Sequence, residues 1–402
     1  RRRLIGWVHR TPAGGKKIKM NYNAIIIRYG EISLKGKNRR MFENKLKTDI
    51  KNFLKNQNID FTEVSLKMGR IYIKGIHTLP PLEKIFGIHS YSPALEIEKD
   101  YALLEKKTVE FFPLFKDKES FRVTCQRIDK TFPRTSVDVE RSIGEIIFEN
   151  TETAVNLTNP EINFQVEIGE DSIYIFTEKI KGFSGLPFGS AGKLVSLISA
   201  GIDSPVATFL MMKRGVEPIL LHFRITESDA AKVKKLQEKL EEYSSGREIK
   251  LYEIERDEIF KGQFDRLYNN RKFHPYICIL CKYLMHKKAA EIAAKEKAYG
   301  LITGDNLAQV ASQTLKNLYA YHTVSGLPVY SPLISFEKQE TMRIAREIGT
   351  YDISISKSYG CTPPKNPKTG VKIENFQKIL AAAGFDEPHL RGGALKLSPL
   401  GE

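Results

Sequence analysis

The chain has 402 residues, of which 41% are hydrophobic and 28% are charged, and its mean hydropathy is −0.32. This balance predicts a folded protein of two to four domains and excludes a disordered chain. No apolar run approaches the roughly 20 residues of a membrane-spanning helix, and the N-terminus lacks the apolar segment of a signal peptide. We therefore expect no membrane partner.

The net charge of +15 is unevenly distributed along the chain. Residues 1–19 carry +7 and predict a flexible basic leader, arm or tag. Residues 20–75 carry +7, residues 76–180 carry −7 and residues 181–402 carry +8, so the changes of sign suggest domain boundaries. A basic chain favours a polyanionic partner such as nucleic acid, although a solvated surface explains a bulk excess equally well.

Four cysteines are too few for a disulfide framework in a chain of this length. This predicts a reducing, cytoplasmic location in which thiols serve chemistry or metal binding. Cys125 falls in a predicted strand and is expected to be a packed core thiol. The other three are Cys278, Cys281 and Cys361.

Residues 20–80 predict a strand, a helix and two further strands. NAIIIRY reads as a buried strand, residues 42–54 have apolar side chains at helical spacing, and FTEVSLK and GRIYIKG follow. This order indicates a small ferredoxin-like α+β domain. Within GEISLKGKNRR, the residues Lys35, Lys37 and Arg39 are candidates for contact with RNA phosphates, and a solvated loop is the alternative.

Residues 81–180 predict a second α+β domain, with a helix-like start in PLEKIFGIH and several strands after it. Its segment SFRVTCQRIDKTFPRTSVDVERSIGEII concentrates cations on a net acidic domain. Arginine with an intervening aromatic suits phosphate contact and base stacking, whereas pairing with Asp129, Asp138 and Glu140 is the structural alternative. The candidate RNA-binding residues of this segment are Arg122, Arg127, Lys130, Arg134 and Arg141.

Residues 181–402 alternate strands with helices, which predicts βαβ units and a parallel sheet. After the apolar strand LVSLI comes the small-residue turn SAGIDS, followed by a helix opened by Pro205. Backbone N–H groups in such a turn converge on an anion at the positive end of the helix. Ser199 and Ser204 add hydroxyl donors, and Asp203 is placed to hold Mg²⁺ on a pyrophosphate.

This turn resembles the S-G-G-x-D-S loop of PP-loop pyrophosphatases. Ala200 replaces the glycine at the second position of the motif, and the loop can still act if φ is negative there. Together with RYGEISLKGKNRR, SFRVTCQRIDKTFP, LITGDNLAQVASQTLKNL and CTPPKNPKTGV, it makes nearly the whole chain from Met20 resemble tRNA 4-thiouridine synthetases, the tRNA sulfurtransferases. The resemblance implies a ferredoxin-like domain at 20–80, a THUMP domain at 81–180 and a PP-loop ATP pyrophosphatase domain, of the adenine nucleotide alpha hydrolase type, at 181–402.

The resemblance also implies the reaction. ATP adenylates O4 of a tRNA uridine, at position 8 in the family, and sulfur carried by Cys361 as a persulfide then displaces AMP to give 4-thiouridine. Implied partners are tRNA, a cysteine desulfurase or other sulfur donor, a sulfur carrier protein of thiamine biosynthesis, and a second copy of the chain in a homodimer. Many relatives carry an additional rhodanese domain. This sequence runs to Glu402 without one, so we expect a different sulfur supply.

The ATP-binding residues implied by the resemblance lie in the turn and at the ends of predicted strands. Lys282 stands where the family usually has an arginine. Without the resemblance, His222 and Gln313 read as ordinary core or capping polar residues. The implied set is Leu197, Ile198, Ser199, Gly201, Asp203, Ser204, His222, Phe223, Lys282, Gly304 and Gln313.

Cys278 and Cys281 form a C-x-x-C motif, which offers two sulfurs to a metal or to a disulfide. With Cys361 they make three thiolates, a set that suits an iron–sulfur cluster with one open iron, as in some cluster-dependent tRNA thiolases and archaeal relatives. A resolving disulfide is the alternative. Zinc is disfavoured because His274 and His286 are near only in sequence.

Two other functions stay open on the sequence. One is a PP-loop enzyme that thiolates another tRNA base or loads sulfur on a carrier protein. The other is a non-catalytic RNA-binding protein. A methyltransferase is disfavoured because no glycine-rich loop for S-adenosylmethionine is visible.

Overall fold

A computed structural model describes residues 7–9, 18–323, 326–357 and 361–385. Most of the expected leader at 1–19 lies outside these residues. None of the described helices is long and apolar enough to cross a membrane. The chain divides into two compact units. Unit 1 comprises Arg1–Ser190, Lys213–Gly215 and Tyr243–Arg247, and unit 2 comprises Ala191–Met212, Val216–Glu242 and Glu248–Glu402.

Unit 1 is an α+β unit built on one mixed sheet. Its strands are β1 (Trp7–His9), β2 (Ile18–Met20), β3 (Ala24–Tyr29), β4 (Glu63–Lys67), β5 (Arg70–Lys74), β6 (Ile88–Glu98), β7 (Ser120–Arg127), β8 (Ala154–Val155), β9 (Ile162–Ile168), β10 (Ser172–Phe176) and β11 (Ile180–Lys181). Its helices are α1 (Arg39–Asn56), α2 (Tyr101–Thr108) and α3 (Ser136–Asn150). The strand order is β4-β5-β3-β6-β10-β9-β7-β8, with β11 also paired to β6, and β1 and β2 form a separate antiparallel pair.

The long strand β6 joins the two halves of this sheet, because it pairs with β3 along one part and with β10 along another. The helix-like start predicted in PLEKIFGIH is wrong: only a 3₁₀ turn forms at Leu82–Lys84 before the strand begins at Ile88. Pro81 opens the turn, and Gly87, with a φ of 100°, redirects the chain into the strand.

Helix α3 is fixed by local chemistry and by burial of one face. Thr135 and Asp138 form a reciprocal capping box at its start. The apolar side chains that it buries are spaced for one helix face, at Val139, Ile143 and Ile147. Cys125 on neighbouring β7 is buried, which confirms the prediction of a core thiol, and burial raises its pKa to about 12.

Unit 2 has the predicted α/β architecture. Its strands are β12 (Gly192–Ile198), β13 (Val216–Arg224), β14 (Leu251–Glu255), β15 (Leu301–Ile302) and β16 (Val329–Tyr330). Its helices are α4 (Asp203–Lys213), α5 (Glu227–Glu241), α6 (Arg256–Ile259), α7 (Phe264–Tyr268), α8 (Ile277–Glu296), α9 (Leu315–His322), α10 (Lys338–Glu347), α11 (Tyr351–Ile355) and α12 (Ile373–Ala382). The strands pair in parallel in the order β14-β13-β12-β15-β16, so the carboxyl ends of the central strands share one edge.

Candidate active site

The SAGIDS turn follows β12 directly, as the sequence predicts, and its last two residues, Asp203 and Ser204, already begin α4. Its two serines close it: the Ser199 N–H donates to Ser204 Oγ at 2.9 Å, and the two hydroxyl oxygens lie 3.1 Å apart. Neither Ala200 nor Gly201 is among the described residues with a positive φ, so an alanine at the second position of the motif is tolerated. The turn therefore presents its backbone at a helix N-terminus, where an anion is favoured.

Gly304 packs directly against this turn. A Cβ on Gly304 would lie 2.8 Å from the Ser204 nitrogen and 3.0 Å from the Asp203 carbonyl carbon. These distances are below ordinary van der Waals contact, so only glycine allows the chain after β15 to approach the start of α4 so closely. Gly304, which the resemblance assigns to ATP binding, thus makes a close approach to protein backbone.

Lys338 is a residue that sequence reasoning missed. It is the first residue of α10, and its Nζ donates to both carboxylate oxygens of Asp203, at 2.7 and 2.9 Å. A single sequence offers no signal that joins two residues so far apart in the chain. The pair places a cation and a carboxylate together at the phosphate-binding turn.

Asp305 is the centre of a second polar group in the same unit. It is buried, and it accepts hydrogen bonds from Lys282, from Gln313 Nε2 at 3.0 Å and from His322 Nε2 at 3.0 Å. Burial opposes its charged form, but Lys282 and His322 outweigh burial and hold its pKa well below the usual range. Asp305 follows Gly304 directly, so the two predicted ATP-binding residues Lys282 and Gln313 meet next to the turn.

His222 lies at the end of β13, opposite Ile198 in the parallel register. The ring is buried, its Nδ1 lies 3.2 Å from the Ile198 carbonyl oxygen, and its Nε2 lies 3.7 Å from Asp229 Oδ2. Burial lowers the pKa of His222, with the Ile198 carbonyl and Asp229 acting in the opposite direction. Leu197, which precedes Ile198, is half-buried, and Phe223, which follows His222, is buried.

Some buried polar atoms of unit 2 have no hydrogen-bond partner among the described residues, and His222 Nε2, Gln313 Oε1 and His286 Nδ1 are among them. Buried polar side-chain atoms are nearly always paired in native proteins, so unpaired ones indicate a missing partner such as a ligand, an ion or water. His222 and Gln313 are residues that the family resemblance assigns to ATP.

The three predicted sulfur-site cysteines lie near one another. Cys278 and Cys281 are in the first turns of α8 and half-buried, Cys361 is exposed, and all three are free thiols. Burial, followed by the charge of Cys361, raises the pKa of Cys278 to about 11 and that of Cys281 to about 12. The sulfur atoms of these three described cysteines do not all lie within 4.8 Å of one another. This spacing argues against a single zinc ion bound by all three.

Arg256 is the second residue that sequence reasoning missed. Its Nη1 lies 3.8 Å from Cys361 Sγ, and its guanidinium lies 3.7 Å above the ring of Phe264. The hydroxyl of Tyr268 donates to the Thr362 carbonyl at 3.3 Å, which holds the chain just after the cysteine. Arg256 thus places a cation beside an exposed thiol.

The segment before Cys361 is tied to the phosphate turn. The buried Lys232 of α5 donates to the carbonyl of Ser354, at 3.2 Å, and to that of Ser356. The Ser354 hydroxyl in turn donates to the Gly201 carbonyl at 3.2 Å. These bonds connect the end of α11 with the turn.

The candidate RNA-binding residues all lie in unit 1, in two stretches. Those with intramolecular partners include Arg39, which pairs with Glu43 at 2.6 Å, and Arg127, which donates to the carbonyls of Phe132 and Arg134. Arg122 donates to the carbonyl of Leu157, and Lys35 pairs with Glu31. Four are exposed: Lys37, Lys130, Arg134 and Arg141.

The three acids of the second stretch each make a local contact. Asp129 pairs with Lys99, Asp138 caps α3, and Glu140 accepts from the backbone N–H of Cys125 at 2.7 Å. Hydrogen bonds from Thr135 lower the pKa of Asp138 most, and the charges of Arg141 and Arg134 lower it further, so Asp138 also interacts with two of the candidate arginines.

Comparison with known proteins assigns the chain to a family. Residues 24–92 match the ThiI ferredoxin-like domain, residues 99–178 the THUMP domain, and residues 189–384 the thiamine biosynthesis protein ThiI. The chain is 40% identical to a probable tRNA sulfurtransferase of Thermococcus kodakarensis, over 92% of this chain and 99% of the relative. It is also 40% identical to one of Methanocaldococcus jannaschii, over 90% and 98%.

A solved structure agrees with this assignment. The crystal structure of a 4-thiouridine synthetase–RNA complex with bound ATP has a TM-score of 0.81 and 30% identity to this chain, and it covers 90% of this chain and 95% of its own. The ferredoxin-like, THUMP and PP-loop architecture predicted from the sequence is confirmed by these matches. The chain therefore belongs to the tRNA sulfurtransferase family.

Proposed function

We propose that the chain is an ATP-dependent tRNA sulfurtransferase that converts a uridine, position 8 by family resemblance, to 4-thiouridine. One observation carries the proposal: helix α8 links the sulfur site with the nucleotide site. Its first turns hold Cys278 and Cys281, and the adjacent Lys282 binds Asp305, which follows the glycine packed against the phosphate turn. This arrangement supports a single site for a thiol and an activated nucleotide, as sulfur-for-oxygen exchange requires.

The first step is adenylation of the uridine. O4 attacks the α-phosphorus of ATP, the N3 proton is lost, and the bond to pyrophosphate breaks. The backbone of the SAGIDS turn and the Lys338 ammonium would bind the departing phosphates. The Asp203 carboxylate would hold Mg²⁺, which neutralises phosphate charge when it is bound.

The second step replaces the activated oxygen. A sulfur nucleophile at the cysteine site attacks C4, and the C4–O bond to AMP breaks. Where this sulfur is the outer atom of a Cys361 persulfide, the thiol of Cys278 or Cys281 then attacks the Cys361 sulfur, so that the S–S bond to the product breaks and a protein disulfide forms. Arg256 would orient the sulfur for attack, because its guanidinium lies 3.8 Å from Cys361 Sγ. The exposed position of Cys361 lets this sulfur reach a base presented from outside the protein.

The sulfur site fits an iron–sulfur cluster held by Cys278, Cys281 and Cys361. Burial disfavours the thiolates of Cys278 and Cys281, and a bound metal centre reverses this by drawing off the protons. When bound, a cluster with three thiolate ligands supplies one open iron for a sulfide. The alternative is a persulfide on Cys361 that Cys278 or Cys281 resolves as a disulfide, which an external reductant then reopens.

Exposed cations of unit 1, such as Lys37, Lys130 and Arg141, would contact the tRNA backbone. A cysteine desulfurase as sulfur donor, a thiamine-pathway sulfur carrier, a homodimer and a cytoplasmic location complete the proposal. Thiols that must remain reduced or metal-bound suit a reducing compartment.

Mass spectrometry of nucleosides from tRNA incubated with ATP, a sulfur donor and the enzyme tests the reaction. We expect 4-thiouridine and AMP in equal amounts, and neither product from Asp203→Asn. A different thiolated base would favour the alternative PP-loop reaction. ATP that stays intact with tRNA and sulfur donor present would favour a non-catalytic RNA-binding protein. Anaerobic purification with an iron count separates cluster from disulfide.

A further inference from the structure

His286, Asp305 and His322 form a compact group of side chains that the reaction above does not use as a group. They come from α8, from the chain after β15 and from the last residue of α9. One ring nitrogen of each histidine and one carboxylate oxygen of Asp305 lie within 4.8 Å of one another. Among the residues with described positions, no other group of three His, Cys, Asp or Glu side chains meets this distance.

The distances within the group approach those of a metal centre. His322 Nε2 and Asp305 Oδ2 are 3.0 Å apart, close to the roughly 3.4 Å between two ligands that bind an ion at about 2.1 Å in a tetrahedral site. The rings of His286 and His322 are near parallel, with an angle of 20° and centroids 5.3 Å apart. All three ligand atoms lie within 4.8 Å of one another, so binding of one ion requires a small adjustment of the side chains.

His286 supplies an independent observation. The side chain is 2% exposed, and its Nδ1 has no hydrogen-bond partner among the described residues. A polar residue fully enclosed by protein normally has a partner. Within the described part of the chain, His286 thus has a buried ring nitrogen free of protein hydrogen bonds beside a second histidine and a carboxylate, and neutral imidazole is the commonest protein ligand for transition metals.

We propose that His286, Asp305 and His322 bind a divalent first-row transition-metal ion of the zinc class. Two imidazoles and one carboxylate suit such an ion, whereas Mg²⁺ and Ca²⁺ prefer oxygen ligands throughout. The other oxygen of Asp305 accepts from Lys282 and Gln313, the kind of outer contact that orients a ligating carboxylate. The site is distinct from the cysteine group, and the proposal does not depend on the reaction.

The charge of Lys282 makes a sharp test available. Its ammonium binds Asp305, so it repels a cation at the same carboxylate. Lys282→Met should therefore tighten metal binding, whereas substitution of a ligand should weaken it. A hydrogen-bonded network without a metal has no reason to respond in opposite directions to these changes.

The experiment is a Co²⁺ titration of the full chain, freed of metal, in a background with Cys278, Cys281 and Cys361 each replaced by serine. We expect a visible d–d absorption without a thiolate charge-transfer band. His322→Ala should weaken the Co²⁺ Kd by roughly 100-fold or more, and Lys282→Met should tighten it by about tenfold. His89→Ala, which removes an exposed histidine of unit 1, is the matched control and should leave the Kd unchanged.

His286→Leu should act like His322→Ala, with circular dichroism as the check of folding. Because His322 is partly exposed, its alanine variant carries the test if the His286 variant does not fold. No visible band at millimolar Co²⁺, or an unchanged Kd in folded His322→Ala, would overturn the proposal.

Discussion

The guanidinium of Arg256 lies 3.8 Å from the sulfur of Cys361 and is held in place by stacking on Phe264. This contact gives an exposed thiol a fixed cation. We predict that Arg256→Gln slows alkylation of Cys361 by iodoacetamide about three- to tenfold at neutral pH, because the reacting sulfur loses the guanidinium that lies against it. Mass spectrometry of the labelled peptide measures the rate.

Arg266→Gln is the matched control for this variant. Arg266 is an exposed arginine on the neighbouring helix α7, and its substitution should leave the alkylation rate of Cys361 unchanged. Equal slowing in both variants would mean that general surface charge, and not the contact with Arg256, governs the thiol.

The pairing of Lys338 with Asp203 predicts a role for Lys338 in the ATP step. Lys338→Met should lower the tRNA-dependent rate of AMP formation by about 100- to 1,000-fold, because a preorganised cation at the phosphates is lost. Arg343→Met, on the exposed side of the same helix, should keep the normal rate. Normal AMP formation by Lys338→Met would show that this lysine has no role in the ATP step.

The packing of Gly304 predicts a steric effect on the phosphate turn. An alanine there would force its Cβ against the backbone of Ser204, at a cost of about 1–3 kcal/mol in the free energy of unfolding, and ATP binding should weaken with it. Urea unfolding and ATP titration measure the two effects. Gly144→Ala in α3, where the nearest neighbour of the added Cβ is Val123 at 3.8 Å, should be neutral or stabilising.

His222 predicts a pH dependence of stability. Burial lowers its pKa in the folded state, so below about pH 6.5 the unfolded chain binds a proton that the folded chain does not. The neutral ring thus stabilises the fold fully above that pH, and this contribution is lost as the pH falls. His222→Gln should shrink the difference in unfolding free energy between about pH 7 and pH 5, as measured by urea titration.

The control for this prediction is His89→Gln. His89 is an exposed residue of unit 1. Its replacement should leave the difference in unfolding free energy of unit 2 between the two pH values as it is in the unmodified chain. A His222→Gln protein with the full pH difference would show that other groups cause it.

Local patterns in the sequence predict most of the elements. The apolar runs of β12 and β13, the capped helix α3 and the small-residue turn before α4 each depend on neighbouring residues, so the chain order reveals them. The segment before β6 is an exception. The apolar spacing of PLEKIFGIH predicts a helix, but the positive φ of Gly87 prevents the segment from continuing as one.

Contacts between distant segments are what a single sequence cannot supply. Lys338 reaches Asp203, and Arg256 reaches Cys361, across more than 100 residues in each case. The family resemblance predicted Lys282 and Gln313 as site residues, but it gave no hint that both bind Asp305. That contact follows only from the way in which α8, α9 and the chain after β15 pack.

One paired measurement tests the central claim most directly: 4-thiouridine and AMP formed on tRNA by the unmodified chain and by Cys361→Ser. The account predicts that the serine variant forms no 4-thiouridine, because the sulfur nucleophile is gone, yet still exchanges pyrophosphate with ATP when tRNA is present, because the phosphate turn is intact. Normal 4-thiouridine formation by Cys361→Ser would contradict it.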